Sequence, residues 1–244
     1  MGRKGVGMVQ LFCIPYAGGS ANIYSQWRDK LKGTAEVVPL EYAGHGKLFC
    51  EEFASDIGEV AKEMCHQIES NLKEDYVIYG HSMGCLVAYE TVLRLTALGG
   101  KLPRAVILSA TRPPHLLCKD KDLGSLSRDA LMQHFASMGQ MEREVFEEPE
   151  LYEIISEIMY ADVQICTKYA KQEKQCLKLD VPFLVFTGEA DDEAPPEDME
   201  EWKKYTNKDF ILKVIKGDHF FAFKENGVFW EHMRDYLIKV EKSS

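Results

Sequence analysis

No stretch of the 244-residue chain approaches the ~18 apolar residues that a membrane-spanning helix requires. Lys/Arg-rich runs are also missing, and basic residues are not interleaved with aromatic ones. With a formal net charge of −10, the surface repels nucleic-acid phosphates and anionic lipid, which argues against a nucleic acid or a membrane as partner. There is no CxxC pair among the seven cysteines (Cys13, Cys50, Cys65, Cys85, Cys118, Cys166 and Cys176), and their number is odd. Several sit in apolar runs such as LFCI and GCLVAY, so free thiols in a reducing cytoplasm are expected in place of a disulfide framework. Arg3 and Lys4 are not followed by an apolar segment long enough for a signal peptide, and MGRKGV lacks the Ser or Thr of a myristoylation signal. The expected location is therefore cytoplasmic. GxGxxG, GK[ST] and HExxH are all absent, and His115 with Cys118 is a lone pair, so neither a cofactor nor a metal is expected.

Hydrophobic residues make up 45% of the chain and charged residues 28%, with no low-complexity tract and no linker. This composition suits one core, and residues 1–244 are read as a single domain. Short apolar runs alternate with amphipathic stretches. MVQLFCI (8–14), AEVVPL (35–40), YVIYG (76–80), RAVILSA (104–110), PFLVFTG (182–188) and FILKVI (210–215) read as strands. Helices are expected around 22–31, over 52–71 and 85–98, and after each of the last two strands. Near-continuous Val/Ile/Leu runs separated by helices imply a mostly parallel sheet with helices on both faces: α/β, doubly wound.

Residues 111–178 break the alternation, holding no strand-like run yet too many apolar residues for a loop. One helix is expected after Ser127, ending at Gly139. A second is expected to begin at Pro149, with Leu151, Ile154, Ile155, Ile158 and Met159 as its apolar stripe. This segment reads as a helical lid inserted over the C-terminal edge of the sheet.

The strongest chemical signal is Gly80-His81-Ser82-Met83-Gly84. By composition alone GxSxG arises in roughly one chain in fifteen of this size, so its context decides. Here a strand precedes it and an apolar helix follows, as a nucleophile elbow requires. The tight turn excludes large side chains at both glycines and lifts the serine above the sheet, the arrangement of an α/β-hydrolase fold. A serine hydroxyl needs a base. Of the histidines after Ser82 (His115, His134, His219 and His232), only His219 directly follows a strand. The acid belongs after the preceding strand, where EADDE offers four carboxylates; Asp191 is favoured over Asp192. The oxyanion hole is expected from the backbone N–H of Met83 and from the loop Pro15-Tyr16-Ala17-Gly18-Gly19.

Taken together, FCIPYAGGSA, VVPLEYAGHG, YGHSMG, FTGEADDEAP with Trp202 downstream, and GDHFF resemble the external (type II) thioesterases of nonribosomal peptide and polyketide synthesis almost end to end. The resemblance implies a triad of Ser82, Asp191 and His219, with oxyanion donors at Met83 and Ala17. Tyr16, Gly18, His81 and Phe220 are the expected substrate-contacting residues. It also implies a substrate that is an acyl group on the phosphopantetheine arm of a carrier protein, served by a monomeric enzyme. Ala43 stands where the family usually has proline before the Gly-His pair. Carrier proteins are typically acidic like this chain, so docking would need a local patch, with Arg112, Lys119 and Lys121 as candidates. The rival readings are a small-molecule carboxylesterase or acyltransferase of the same fold and, more remotely, a non-catalytic acyl-ligand receptor.

Overall fold

All six expected strands form, each within two residues of its expected bounds. They are β1 (Val9–Ile14), β2 (Ala35–Pro39), β3 (Tyr76–His81), β4 (Ala105–Ser109), β5 (Phe183–Gly188) and β6 (Phe210–Ile215). The computed structural model describes residues 8–119, 122–139, 141, 143–172 and 175–242. Every pairing in the sheet is parallel, in the order β2-β1-β3-β4-β5-β6. The order reverses between β1 and β3, so the loops leaving these two strands part in opposite directions. Such a switch point opens a crevice at the C-terminal ends of the strands.

Side chains alternate between the two faces, and both faces are buried. On one, Phe12, Ile78, Val106, Phe183 and Val185 pack against α2 (Ile57–Asn71) and α3 (Met83–Leu98). On the other, Leu11, Tyr79, Ile107, Leu184 and Phe186 meet Trp27 of the one-turn helix α1 (Trp27–Lys30) and Phe229, Met233 and Leu237 of α8 (Gly227–Lys242). Each fully buried large aliphatic or aromatic side chain contributes about 1.5–3 kcal/mol. This two-sided burial explains why the strands read as unbroken apolar runs.

Two helices differ from expectation. In place of one helix over 22–31 there is a 3₁₀ turn, Ala21–Tyr24, and then α1. Tyr24 donates its hydroxyl to the Ile14 carbonyl (2.7 Å) while Trp27 is anchored separately against Tyr79 and Trp230, which breaks the helix between the two rings. The helix expected from residue 52 begins at Ile57, because Asp56 caps it by accepting from the Glu59 N–H and Glu59 accepts in return from the Ser55 N–H. Phe53 is left outside the helix and covers Gly44.

Between β4 and β5 lie α4 (Arg128–Ser137), α5 (Arg143–Glu147) and α6 (Pro149–Ala170). Ser127 caps α4 through the Ala130 N–H, and Gly139 ends the segment with φ +76°. These helices enclose a small core of their own: Leu131, Met132, Phe135, Val145, Met159 and Val163. The expected apolar stripe of α6 holds only in part: Met159 is buried and Ile155 packs against that core. Leu151 and Ile154 are 40% and 51% exposed, whereas Ser156 and Asp162 are buried. After β5 comes only a single turn, α7 (Pro196–Met199), continued by a 3₁₀ segment to Tyr205. Among the described residues no helix is long and apolar enough to cross a membrane.

Candidate active site

Ser82 stands where β3 gives way to α3, with φ 52° and ψ −122°. Few non-glycine residues adopt that conformation, and it stores of order 1–3 kcal/mol of backbone strain. The surrounding structure holds it: Ser82 N–H donates to Ser109 O (2.9 Å), and Cys85 N–H donates to Ser82 O (2.9 Å). The flanking glycines are sterically required. A Cβ on Gly80 would overlap the Gly84 carbonyl, and one on Gly84 would lie 2.5 Å from Ile14 O. The half-buried serine thus sits at the positive end of α3, which favours negative charge developing there.

His219 follows β6, and its Nδ1–H faces both carboxylate oxygens of Asp191, at 3.1 and 3.0 Å. Asp191 in turn accepts from the backbone N–H groups of Glu193 (3.0 Å) and Ala194 (3.2 Å), which fix its rotamer. Asp192 is exposed and offers only its carbonyl, to Arg112. The acid loop and the histidine loop cross closely: a Cβ on Gly188 would lie 2.6 Å from both Gly217 O and Asp218 O. Burial lowers the His219 pKa, but the hydrogen bond and charge of Asp191, with Glu193 and Asp218 beyond, outweigh it and raise it above the ordinary 6.5. With Nδ1 committed to the carboxylate, Nε2 is left as the basic nitrogen.

Ala17, Ser82, Met83 and His219 line a common cavity of about 800 Å³. Its walls are mostly apolar and include Leu86 of α3, Leu117 and Leu123 from the 3₁₀ turns after β4, and Val163 and Cys166 of α6. None of Tyr16, Gly18, His81 and Phe220, the four residues expected to touch substrate, is in these walls. Tyr16, His81, Phe220 and Phe223 pack against one another beside His219, edge-on except for the tilted His81–Phe220 pair, since rings of this size beside the sheet are stabilised more by mutual burial than by exposure in the cavity. His81 is fully buried, its ring 5.5 Å from that of His219 and its Nδ1 2.7 Å from Ser109 Oγ. Burial and the nearby His219 hold its pKa well below 6.5, so it stays neutral. Gly18 turns its N–H away from the cavity, onto Asp162 Oδ2 (2.7 Å).

Arg112 is not a surface cation: its Nε donates to Asp198 Oδ2 (2.7 Å) and both side chains are 11% exposed. Lys121 and the side chain of Lys119 lie outside the described residues. Sequence reasoning missed Asp162 and His45, both buried beside the β1 loop. Their only signals were a lone acid in the apolar run MYADVQIC and the histidine of YAGHG.

The thioesterase domain model matches residues 9–236. A protein of Brevibacillus parabrevis named linear gramicidin dehydrogenase LgrE is 30% identical, over 94% of this chain and 89% of its own. The gramicidin S biosynthesis protein GrsT of Aneurinibacillus migulanus is 24% identical, over 88% and 84%. Among solved structures, the RedJ thioesterase of the prodiginine pathway in Streptomyces coelicolor superposes with a TM-score of 0.84 at 29% identity, over 95% of this chain and 90% of its own. ClbQ of the colibactin pathway gives 0.84 at 28%, over 97% and 98%. With an elbow, a histidine–carboxylate pair and a shared cavity at the C-terminal edge of a parallel sheet, and with a family model spanning nearly its whole length, this chain belongs to the thioesterase domain family.

Proposed function

We propose that the protein is an external thioesterase that hydrolyses acyl groups from the phosphopantetheine arm of a carrier protein. In this reading Ser82 is the nucleophile, His219 the general base and Asp191 its orienting acid. One observation carries it: Ser82, held at φ 52° on the elbow, opens into the same cavity as His219, whose other ring nitrogen is tied to Asp191.

The cycle follows from that arrangement. Ser82 Oγ attacks the thioester carbonyl as His219 Nε2 takes its proton, and the backbone N–H groups of Met83 and Ala17 receive the oxyanion. Collapse expels the pantetheine thiolate, which takes the proton from His219, and leaves an acyl-Ser82 ester. His219 then deprotonates water, which attacks the ester; the free acid leaves and Ser82 recovers its proton. The apolar walls beyond Ser82 suit an acyl chain, and α6 with the segment after β4 acts as a lid over it. The β1 loop, PYAGGS, carries no GxGxxG dinucleotide turn, so a hydrolytic role fits it better than the dehydrogenase name of one relative. The enzyme is placed in the cytoplasm, acting as a monomer.

The test is single-turnover release of acid from an acyl-loaded carrier protein, run beside the matching acyl N-acetylcysteamine thioester and a nitrophenyl ester. Release fastest from the carrier, with Ser82→Ala slower by about 10⁴ or more, supports the proposal. Fast turnover of the free ester with an idle carrier would move the protein to the esterases. An acyl ligand bound but never released would make it a receptor.

A further inference from the structure

A buried ion pair ties the inserted helices to the loop that offers Ala17 to the cavity. Tyr16 to Gly19 form a tight turn closed by Gly19 N–H to Tyr16 O (2.9 Å), and Gly18 takes the left-handed φ (+76°) of a type II turn. The turn is braced from three sides. Tyr42 donates its hydroxyl to Pro15 O (2.6 Å). Met159 of α6 lies so close to Gly18 that an added Cβ would overlap its methyl group. Asp162, one turn farther along α6, accepts the Gly18 N–H through Oδ2 (2.7 Å). The same oxygen faces His45 Nε2 at 2.9 Å, and His45 Nδ1 lies 2.9 Å from Ala43 O. Asp162 and His45 are 3% and 2% exposed.

The protonation of this pair follows from its partners. Ala43 O can only accept, so Nδ1 carries a hydrogen; Gly18 N–H can only donate, so Oδ2 accepts. The remaining contact, Nε2 to Oδ2, closes only if a further proton lies between them, which makes the pair an imidazolium facing a carboxylate. The charged and titratable groups around His45 are few. Glu41, on the same loop, accepts from Ala21 N–H and Lys47 N–H. Glu63 approaches Ala43 from α2, and Tyr42 and Cys166 flank Asp162. Burial lowers the His45 pKa, but Asp162, the Ala43 carbonyl and Glu41 together raise it above 6.5.

We propose that Asp162 and His45 are positioning residues, which hold the Tyr16–Gly19 turn so that the Ala17 N–H meets the oxyanion. They thereby make transition-state stabilisation depend on where α6 sits. This rests on the reading that Ala17 and Met83 form the oxyanion hole. It has a pH signature. As pH rises through the His45 pKa the shared proton leaves, two lone pairs face each other across 2.9 Å, and the turn loses its outer anchor. Activity then falls on the alkaline side, a change that deprotonation of His219 cannot itself produce, since a general base acts in its deprotonated form.

The experiment uses the acyl N-acetylcysteamine thioester, so that carrier docking plays no part, and compares wild type, Asp162→Ala, His45→Gln and Ser82→Ala. Asp162→Ala is expected to lower kcat about 100-fold, the loss that a misplacement of roughly 1 Å produces, with KM shifted less than about threefold. His45→Gln still donates to the carboxylate but does not titrate. It should recover most of the kcat that Asp162→Ala loses, and it should lack the alkaline fall that wild type shows. If Asp162→Ala proves unfolded by circular dichroism, the pH profile of His45→Gln decides alone. Overturning results are a folded Asp162→Ala with wild-type kcat, a rise in KM alone, or identical alkaline behaviour in wild type and His45→Gln. Full activity in Ser82→Ala would instead sink the hydrolase reading, an outcome that leaves a different pattern across the four proteins.

Discussion

The sheet and the inserted helices are built from similar amounts of apolar sequence but by different rules. In the four central strands, β1, β3, β4 and β5, every residue is buried, so each apolar residue has a partner layer whichever way it points. Strand runs read from the sequence therefore land within two residues of the observed ones. The inserted segment has a layer on one side only. Its helices begin and end where their caps say, at Ser127 and Pro149, but the direction each helix faces is set by what lies beneath it. Helix α6 exposes Leu151 and Ile154 and buries Asp162, because below it are the cavity and the β1 loop, whose Gly18 N–H Asp162 accepts. The rigid layer presents the reacting groups, and the thinner one shapes and anchors the space around them.

That contrast can be tested by perturbing each region in turn. The largest loss is expected at the rim of the sheet. Asp191→Asn should reduce kcat by about 10⁴ with little change in the melting curve, since His219 would lose the partner that fixes its tautomer; retention of activity would show that the reacting groups are not held by the strand ends. Next comes packing. Leu108→Ala, in the doubly covered core, should destabilise the fold by about 3–5 kcal/mol in urea titration. Leu131→Ala, in the small cluster of α4 to α6, should cost about 2 kcal/mol or less and raise KM instead, because that cluster can open locally. Equal global costs would erase the distinction between the two regions.

A smaller effect concerns pH. The His219 pKa is raised, and a general base acts only when deprotonated, so if His219 is the base as proposed kcat/KM should climb through a half-maximal point above pH 6.5. In Asp191→Asn the residual activity should reach its plateau at lower pH, because the group that outweighed burial is gone. An acid limb that stays in place would assign it to another residue. Smallest of all, Leu151→Gln and Ile154→Gln should each change stability by no more than about 0.5 kcal/mol. A larger loss would mean that the outer face of α6 is covered after all.

Much of the site was legible in the residues. Gly80, Ser82 and Gly84 between a strand and a helix announced the elbow, and the turn is so tight that both glycines are sterically required. Chain order then pointed to His219 and to the acidic run holding Asp191. Other features were not legible. Tyr16, His81 and Phe220 are conspicuous residues near the motifs, yet they pack against one another beside His219, and Arg112 is spent on Asp198. Motif proximity does not tell a side chain that enters a cavity from one that supports it.

The sequence by itself determined the sheet, the elbow and the loops that carry Asp191 and His219, because these depend on local periodicity, on turn sterics and on the loops that must follow each strand. Only the tertiary structure decided the shape of the cavity, the direction α6 faces, and the meeting of Asp162, His45 and Gly18. Those contacts join positions 117 and 144 residues apart, and a hydrogen bond across such a separation is fixed by how layers stack, which no local pattern encodes.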